Sequence, residues 1–275
     1  METLFLTDLD GTLLDERGTL SPMSEEILRR LMRAGLPLTV ATGRTPLSVW
    51  AVLRGLPLSL PAVLMNGALI AHPEDGRVLA AEPISPASLA VLTQAEEAVG
   101  LGGLLFGLEE NRVRLTLDSP AEGRWADFFQ RIGAEAWTGP SGRARDWLGK
   151  PVLYGIYIDG RPERLREMAC RLSADSGLAL DAYRDRYDPD TWCLEVFSGT
   201  ASKGRAAEQL RALTGAERMA AFGDGHNDLS LFQVCEERYA VENAAPEVKA
   251  AADAVIGSNR ADGVAHYLER RWTGA

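Results

Sequence analysis

Two pairs of aspartates stand directly after apolar runs in this sequence. One pair, Asp8 and Asp10, follows a short apolar run near the start of the chain, and the other pair, Asp224 and Asp228, follows a later one. Both runs are typical of buried strands in a parallel sheet, and such sheets place ligands at the carboxyl ends of their strands. Each pair alone also fits an acidic turn or a helix cap. Together they predict a site for Mg²⁺, which prefers oxygen ligands, waters and substrate phosphate.

Three further residues are suited to binding a phosphoryl group. Thr42 and Arg44 stand at a strand-to-helix junction, where a hydroxyl and backbone N–H groups suit a phosphoryl oxygen. Lys203 stands at the start of a later helix, and its ammonium could neutralise the transferred charge. Alone, the threonine is also an ordinary helix cap, and the two basic residues are ordinary surface residues. Their chemistry therefore depends on whether the fold brings them to the aspartates.

The ordered set of these residues resembles the haloacid dehalogenase (HAD) superfamily of aspartyl phosphatases. The motifs that carry the resemblance are Asp8-Leu9-Asp10-Gly11-Thr12, Thr42, Lys203 and Gly223-Asp224-Gly225-His226-Asn227-Asp228. The later segments 242–249 and 259–264 are similar to the tail of its Cof-type (class IIB) branch. The resemblance covers essentially the whole chain, loosely so between residues 83 and 189. One departure is Phe197-Ser198-Gly199-Thr200, where family members often have a proline, and we expect it to alter a loop only.

The resemblance implies hydrolysis through an aspartyl-phosphate intermediate. Asp8 would be the nucleophile, and Asp10 would protonate the leaving alcohol and then deprotonate the attacking water. Thr42 and Lys203 would hold the phosphoryl oxygens. In related ion-pumping ATPases a threonine takes the place of Asp10, so an aspartate here favours turnover over a long-lived phosphoenzyme.

The resemblance also implies Mg²⁺ as the cofactor. The carboxylate of Asp8, the backbone carbonyl of Asp10 and the carboxylate of Asp224 would bind the ion. Asp228 would lie behind these ligands and orient them.

The elements that position these residues alternate between strands and helices at both ends of the chain. This order predicts an α/β fold, a Rossmann-like core with a parallel sheet formed by residues 1–82 and 190–275. Closely spaced strands in residues 83–189 predict a mainly antiparallel sheet with helices on one face, and the resemblance implies an inserted α+β cap of the C2 type. Within the core, we expect Ser24 to cap a helix and residues 13–20 to form a small hairpin.

Composition and charge argue against several other classes of protein. The net charge of −10 is unlike that of a nucleic-acid binder, which needs clustered basic residues, and no apolar stretch is long enough for a membrane span. The start lacks a basic leader, and the three cysteines are too scattered for a disulfide framework or a zinc site. These features predict an enzyme of the reducing cytoplasm and leave its oligomeric state open.

The position of the insert bears on the substrate. A cap inserted between Thr42 and Lys203 would exclude water and supply specificity contacts, which favours a compact phosphorylated metabolite such as a sugar phosphate. The core-side candidates for substrate binding are Arg44, Asn66, Gly67 and Asn227, and the cap candidates are Arg184, Tyr187 and Trp192. Loop geometry also explains the core candidates, and packing also explains the tryptophan.

Three other functions are open on the same residues. A phosphomutase or phosphotransferase would pass the phosphoryl group to a sugar hydroxyl, so isomerised sugar phosphate would appear without free phosphate. A phosphate-ester sensor would need neither the nucleophile nor the general acid. A receiver-type signalling domain also combines Asp, Thr and Lys around magnesium, but its acceptor lies later in the fold and it has no large insert.

Overall fold

The computed structural model describes residues 2–118, 122–132, 139–185 and 188–273. The chain divides into two compact units. The first combines Met1–Ala80 with Ser202–Ala275, and the second is the contiguous segment Ala81–Ala201. The second unit is therefore inserted into the first along the chain.

The strands of the described residues are β1 (Thr3–Thr7), β2 (Leu38–Val40), β3 (Ala62–Leu64), β4 (Leu69–Ala71), β5 (Val78–Ala81), β6 (Leu104–Glu109), β7 (Arg112–Leu117), β8 (Val152–Asp159), β9 (Leu178–Arg184), β10 (Trp192–Ser198), β11 (Arg218–Gly223), β12 (Glu237–Val241) and β13 (Ala254–Ile256). The helices are α1 (Pro22–Arg33), α2 (Pro46–Val52), α3 (Pro86–Val99), α4 (Arg124–Arg131), α5 (Pro162–Leu172), α6 (Lys203–Thr214), α7 (Asp228–Phe232), α8 (Pro246–Ala251) and α9 (Gly263–Thr273). Short 3₁₀ turns cover Met65–Gly67, Ala144–Trp147 and Asn259–Ala261. None of these helices has the length and apolar character that crossing a membrane requires.

A five-stranded parallel sheet organises the first unit, in the order β13-β12-β11-β1-β2. Its strand β1 is apolar on both faces, since Leu4 and Leu6 are fully buried along with their neighbours, a pattern typical of a parallel sheet covered on both sides. Strand β1 pairs with β11, so that Leu6 lies opposite Ala221. The predicted α/β core with a parallel sheet is confirmed.

Two local predictions near the start of the chain are wrong. Helix α1 begins at Pro22, and its cap is Ser21, whose hydroxyl accepts the N–H of Ser24 (2.9 Å). Proline is favoured in the first turn because its missing N–H would have no helical partner there. Residues 13–20 form no pair of strands; a turn forms instead, in which Asp15 Oδ1 accepts two backbone N–H groups.

The second unit contains an antiparallel sheet in the order β7-β6-β8-β10-β9. Its core packs α3 and α5 against one face of the sheet, through residues such as Leu92, Met168 and Leu194. Strand β10 pairs with both β8 and β9, which keeps it in this unit. The predicted end of the insert at residue 189 lies before β10.

Glu96 on α3 is a buried carboxylate of the second unit. It accepts hydrogen bonds from Tyr157 Oη (2.8 Å) and from the N–H of Ala144 (2.9 Å). Burial raises the pKa of Glu96 to about 6, because these two hydrogen bonds replace only part of the hydration that the charged form loses.

Glu96→Gln is expected to remove a pH-dependent part of the stability. An acid whose pKa is raised by folding contributes most at low pH, and that contribution is lost as the pH rises from about 4.5 to about 6. The loss is at most about 2 kcal/mol, since one pKa unit corresponds to about 1.4 kcal/mol. Urea unfolding across this window should show a smaller fall in the free energy of unfolding for the variant. If the free energy of unfolding depends on pH in the same way in both proteins, the raised pKa of Glu96 is contradicted.

Candidate active site

The aspartates of both motifs lie at the carboxyl ends of strands in the parallel sheet. Asp8 follows β1, and its N–H donates to the carbonyl of Phe222 (3.0 Å), which extends the pairing between β1 and β11. Asp224 follows β11. The two acids therefore leave neighbouring parallel strands at the same end, which explains their convergence.

Lys203 joins two of these carboxylates in a buried cluster. Its Nζ lies 2.7 Å from Asp8 Oδ1 and 2.7 Å from Asp228 Oδ1. The side chains of Lys203 and Asp228 are fully buried, and that of Asp8 is 9% exposed. Ser202 caps helix α6 and so places the lysine at its first residue. The lysine, which the sequence alone did not separate from a surface residue, is thus part of the site.

The cluster carries more negative than positive charge. Burial raises the pKa of Asp8 well above its usual value; the nearby Lys203 opposes this shift, while Asp228 and Asp224 add to it. Burial by itself would lower the pKa of Lys203, but attraction by Asp228 and Asp8 outweighs it and the net shift is upward. Lys203 is therefore held as an ammonium between Asp8 and Asp228, and Asp224 adds a third carboxyl group to the cluster. A further cation would offset the remaining charge.

The donor set fits a hard divalent cation. One carboxylate oxygen from each of Asp8, Asp224 and Asp228 lies within 4.8 Å of the other two, and such oxygen donors suit Mg²⁺. Asp228 already has partners for both oxygens: Oδ1 accepts from Lys203, and Oδ2 accepts the N–H groups of Asp224 (2.9 Å) and Gly225 (3.0 Å). This arrangement favours Asp8 and Asp224 as direct ligands and Asp228 as the residue that orients them.

The turn after Asp8 also contacts Asp224. Thr12 Oγ1 donates to Asp224 Oδ1 (2.8 Å). Gly11 has a φ of +81°, and a Cβ there would overlap the Asp224 carboxylate, so both its conformation and its surroundings require glycine. The contact of Thr12 was not predicted; its only signal in the sequence is a hydroxyl residue inside the first aspartate motif.

Arg44 binds the Asp10 carboxylate through two hydrogen bonds. Arg44 Nε lies 2.6 Å from Asp10 Oδ2, and Nη2 lies 2.7 Å from Asp10 Oδ1. The N–H of Arg44 donates to the hydroxyl of the buried Thr42 (3.1 Å), so both residues belong to one turn after β2. The planar guanidinium matches both carboxylate oxygens. The structure therefore brings a predicted substrate contact onto the predicted general acid.

Asn66 and Asn227, two predicted substrate contacts, lie against each other. Asn227 Nδ2 donates to Asn66 Oδ1 (3.0 Å). Met65, Asn66 and Gly67 all have positive φ angles, of 51°, 53° and 95°; asparagine and glycine tolerate this region, and Met65 is strained by about 1–2 kcal/mol. A Cβ on Gly67 would overlap a backbone carbonyl at the start of α6. The strained turn therefore sits against the helix that supplies the lysine of the cluster.

The candidates for substrate binding in the inserted segment, where the structure describes them, lie in the second unit. Arg184 Nε donates to the carbonyl of Pro189, and the guanidinium of Arg166 lies 5.7 Å from the centre of the Trp192 ring. Tyr187 lies outside the described residues. Substrate recognition by these side chains stays a prediction.

Known proteins resemble this chain along nearly its whole length. Residues 5–268 match the model of the haloacid dehalogenase-like hydrolase family. The chain is 26% identical to pyridoxal phosphate phosphatase YbhA of Escherichia coli (strain K12), over 95% of each protein. It is also 26% identical to 5-amino-6-(5-phospho-D-ribitylamino)uracil phosphatase YwtE of Bacillus subtilis (strain 168), over 97% of each. The crystal structure of TM0651 from Thermotoga maritima matches with a TM-score of 0.79 and 25% identity, over 98% of this chain and 97% of that one.

Proposed function

Since the chain belongs to the haloacid dehalogenase-like hydrolase family, we propose that it is a magnesium-dependent phosphatase acting on a small phosphorylated metabolite. The family and the fold predicted from the motifs are confirmed. The observation that carries the proposal is the buried cluster of Asp8, Lys203 and Asp228. A phosphate dianion repels an isolated carboxylate, so a nucleophile held beside a fixed ammonium suits its attack. A phosphate-ester sensor would need no such nucleophile.

The reaction proceeds in two displacements at phosphorus. An oxygen of Asp8 bonds to phosphorus while the ester oxygen leaves and takes a proton from Asp10. Water then attacks the aspartyl-phosphate, gives its proton to Asp10 and releases Asp8 with inorganic phosphate. Asp8, the Asp10 carbonyl and Asp224 would hold Mg²⁺, which supplies positive charge to the phosphoryl oxygens. Thr42 and Lys203 donate to the same oxygens.

The ion pair between Asp10 and Arg44 bears on both proton transfers. Both Asp10 oxygens accept hydrogen bonds from the guanidinium. A protonated carboxyl donates through one oxygen, which is then a weaker acceptor, so protonation of Asp10 weakens one of these two hydrogen bonds. The acid step therefore weakens the ion pair between Asp10 and Arg44.

Asp10→Asn is expected to separate the two displacements. A nitrophenolate leaves without a proton, so the first step with an aryl phosphate should survive. Hydrolysis of the aspartyl-phosphate should slow by about 10²- to 10⁴-fold, the usual contribution of a general base. Rapid-mixing absorbance should therefore show a burst of nitrophenolate equal to the enzyme concentration, followed by slow turnover.

An alkyl phosphate provides the contrast for this variant. Its leaving alkoxide needs the proton, so Asp10→Asn should give no burst of alcohol. Steady-state turnover equal to that of the wild type with both esters would rule out the assigned role of Asp10.

Two substrate classes fit the proposal. The position of the insert favours a compact ester such as a sugar phosphate. The two relatives described above are named for pyridoxal phosphate and for a phosphorylated ribitylaminouracil, and both compounds carry a nitrogen heterocycle. We propose that the substrate is a phosphorylated heterocycle or a sugar phosphate, handled in the cytoplasm.

A phosphate-release screen tests this proposal. The panel comprises pentose and hexose phosphates, pyridoxal phosphate, flavin mononucleotide and nucleotides, each assayed with Mg²⁺ and with EDTA. We expect release that requires Mg²⁺ and one chemical class that is hydrolysed at least about tenfold faster than the others, a preference of about 1.4 kcal/mol. Equal and poor turnover of every ester would contradict a selected metabolite. Isomerised sugar phosphate without free phosphate would identify a mutase.

A further inference from the structure

Two asparagines from the last part of the chain bind the turn that follows the nucleophile. Asn243 Nδ2 donates to the carbonyl of Gly11 (2.7 Å), and Asn259 Nδ2 donates to the carbonyl of Leu14 (2.8 Å). The backbone N–H of Asn259 donates to Asn243 Oδ1 (3.0 Å), which connects the two. We call this pair of residues the amide bridge. Its members stand in the tail segments that carried part of the family resemblance, and the reaction steps above give them no role.

The turn itself holds the peptide after Gly11 through the N–H of that peptide. The carbonyl of Leu9 accepts the N–H groups of Thr12 (3.2 Å), Leu13 (3.0 Å) and Leu14 (2.8 Å), which closes the turn. The N–H of the peptide after Gly11, contributed by Thr12, makes the longest of these three hydrogen bonds (3.2 Å), and glycine at φ +81° has wide conformational freedom. A hydrogen bond to the Gly11 carbonyl therefore holds the opposite end of the same peptide and limits its rotation further than the turn alone does.

We propose that the amide bridge positions the metal site. Gly11 links Asp10, whose carbonyl is a proposed metal ligand, to Thr12, whose hydroxyl binds Asp224 (2.8 Å). A fixed Gly11 carbonyl thus orients the Asp10 carbonyl on one side and, on the other, the Thr12 hydroxyl that binds Asp224. Outer hydrogen bonds of this kind orient metal ligands and tune affinity. The proposal rests on the proposed function only in taking the bound ion to be the one that serves hydrolysis.

The test is Asn243→Ala in the full chain, with Mg²⁺ binding measured by calorimetry. Asn243 is exposed, so the truncation removes the hydrogen bonds with little loss of packing. The Kd for Mg²⁺ should rise about 10-fold, the lower end of the usual effect of losing an outer partner. The kcat for an aryl phosphate at saturating Mg²⁺ should fall while KM stays near the wild-type value. An unchanged Kd for Mg²⁺ would overturn the proposal.

A second substitution tests the route of the effect. Thr12→Val removes the hydroxyl that binds Asp224 and keeps the shape of the side chain. If the amide bridge acts through the peptide between Gly11 and Thr12, the double variant should raise the Kd for Mg²⁺ by less than the product of the two single effects. Full multiplication of the two effects would overturn this route.

Ser21→Ala is the matched control for lost stability. Ser21 caps α1 in the same unit, and the hydrogen bonds of its hydroxyl go to the N–H of Ser24 and to the carboxylate of Asp262 rather than to residues 9–14. The control should lower the unfolding temperature and leave both the Kd for Mg²⁺ and kcat unchanged. Equal weakening of Mg²⁺ binding in the control would overturn the positioning role.

The wild-type measurements separate this proposal from the proposed function. A wild-type chain that binds Mg²⁺ but hydrolyses no ester would overturn the proposed function, and the Kd for Mg²⁺ of Asn243→Ala would still decide the role of the amide bridge. A wild-type chain that does not bind Mg²⁺ would overturn both.

Discussion

Asp8→Asn is expected to abolish phosphate release while the fold survives. The substitution keeps the shape of the side chain and removes the attacking oxygen, so turnover should fall on the order of 10⁴-fold or more, as when other covalent nucleophiles are removed. Phosphate release measures the loss, and mass spectrometry of acid-quenched enzyme should show the phosphorylated species in the wild type only. A variant as active as the wild type would contradict the covalent mechanism.

The same substitution is expected to leave the metal-free protein at least as stable at neutral pH. Burial and the two neighbouring carboxylates raise the pKa of Asp8, so its ionisation weakens the folded state as the pH rises from the usual aspartate value towards the folded one. Asparagine removes that cost, and Lys203 keeps Asp228 as a partner. Urea unfolding in EDTA compares the free energy of unfolding of Asp8→Asn with that of the wild type.

Added Mg²⁺ should reverse the order of stability. An ion that binds only the folded state stabilises it in proportion to the logarithm of its concentration over Kd, and Asp8→Asn has lost a ligand. Asp75→Asn, the same chemical change at an exposed site of the first unit, should gain as much stability from Mg²⁺ as the wild type and should be as active. A variant that Mg²⁺ stabilises as much as the wild type would contradict Asp8 as a ligand.

Lys203→Met is expected to cost about 3–5 kcal/mol in the free energy of unfolding at neutral pH, the usual result of removing one partner of a buried ion pair. The variant leaves the buried Asp8 and Asp228 without their ammonium. Turnover should fall as well, because the fixed positive charge beside the nucleophile is lost. Urea unfolding gives the first quantity and phosphate release the second.

The pH dependence of this variant has a defined sign. The pKa of Lys203 is raised in the folded state, so its contribution is complete below the usual lysine pKa and is lost only as the pH rises through the folded value. The ionisation of the lysine therefore adds no pH dependence to the deficit of Lys203→Met near neutral pH. The deficit should shrink as the pH falls through the raised pKa of Asp8, because protonation removes one of the two charges left without a partner.

Lys249→Met is the matched control for a lost ammonium. Lys249 is half-buried on α8, and we expect its replacement to change stability by less than about 0.5 kcal/mol, as is usual for a surface substitution. A Lys203→Met protein as stable as this control would show that the buried cluster does not depend on the lysine.

The sequence predicted that the aspartates meet at the carboxyl ends of the strands, because strand order determines which strand ends are neighbours. Asp8 and Asp224 each end an apolar run, and parallel pairing of β1 with β11 brings such ends together whatever the loops do. The same reasoning identified the antiparallel sheet of the insert from its strand spacing. Features that depend on the hydrophobic period and on strand order could therefore be predicted from one sequence.

Side-chain hydrogen bonds between loops could not be predicted from the sequence in the same way. Arg44 was expected to contact the substrate, and the structure places it on Asp10. Thr12 on Asp224 and Asn243 on Gly11 join residues whose separation in sequence carries no periodic signal. Such pairs depend on where loops of different strands meet, which requires the tertiary structure.

Backbone details failed for a related reason. Asn66 and the following glycine are a turn signal in the sequence, but they do not predict a run of three positive φ angles that begins at Met65. Local preference disfavours that run, and burial against the start of α6 selects it. Ser21 and Ser24 are both plausible caps, and the proline between them decides for Ser21.

The pairing of β1 with β11 has a consequence for the nascent chain. At about 5–20 residues per second of synthesis, β1 waits on the order of tens of seconds on the ribosome before its neighbour β11 emerges. The inserted segment Ala81–Ala201 is contiguous and can complete its own core during that wait. Ribosome-stalled chains that end before β11 should therefore resist protease in the insert and be cleaved in the first 80 residues. Apolar β1 is thus a part of the newborn protein that needs shielding by chaperones.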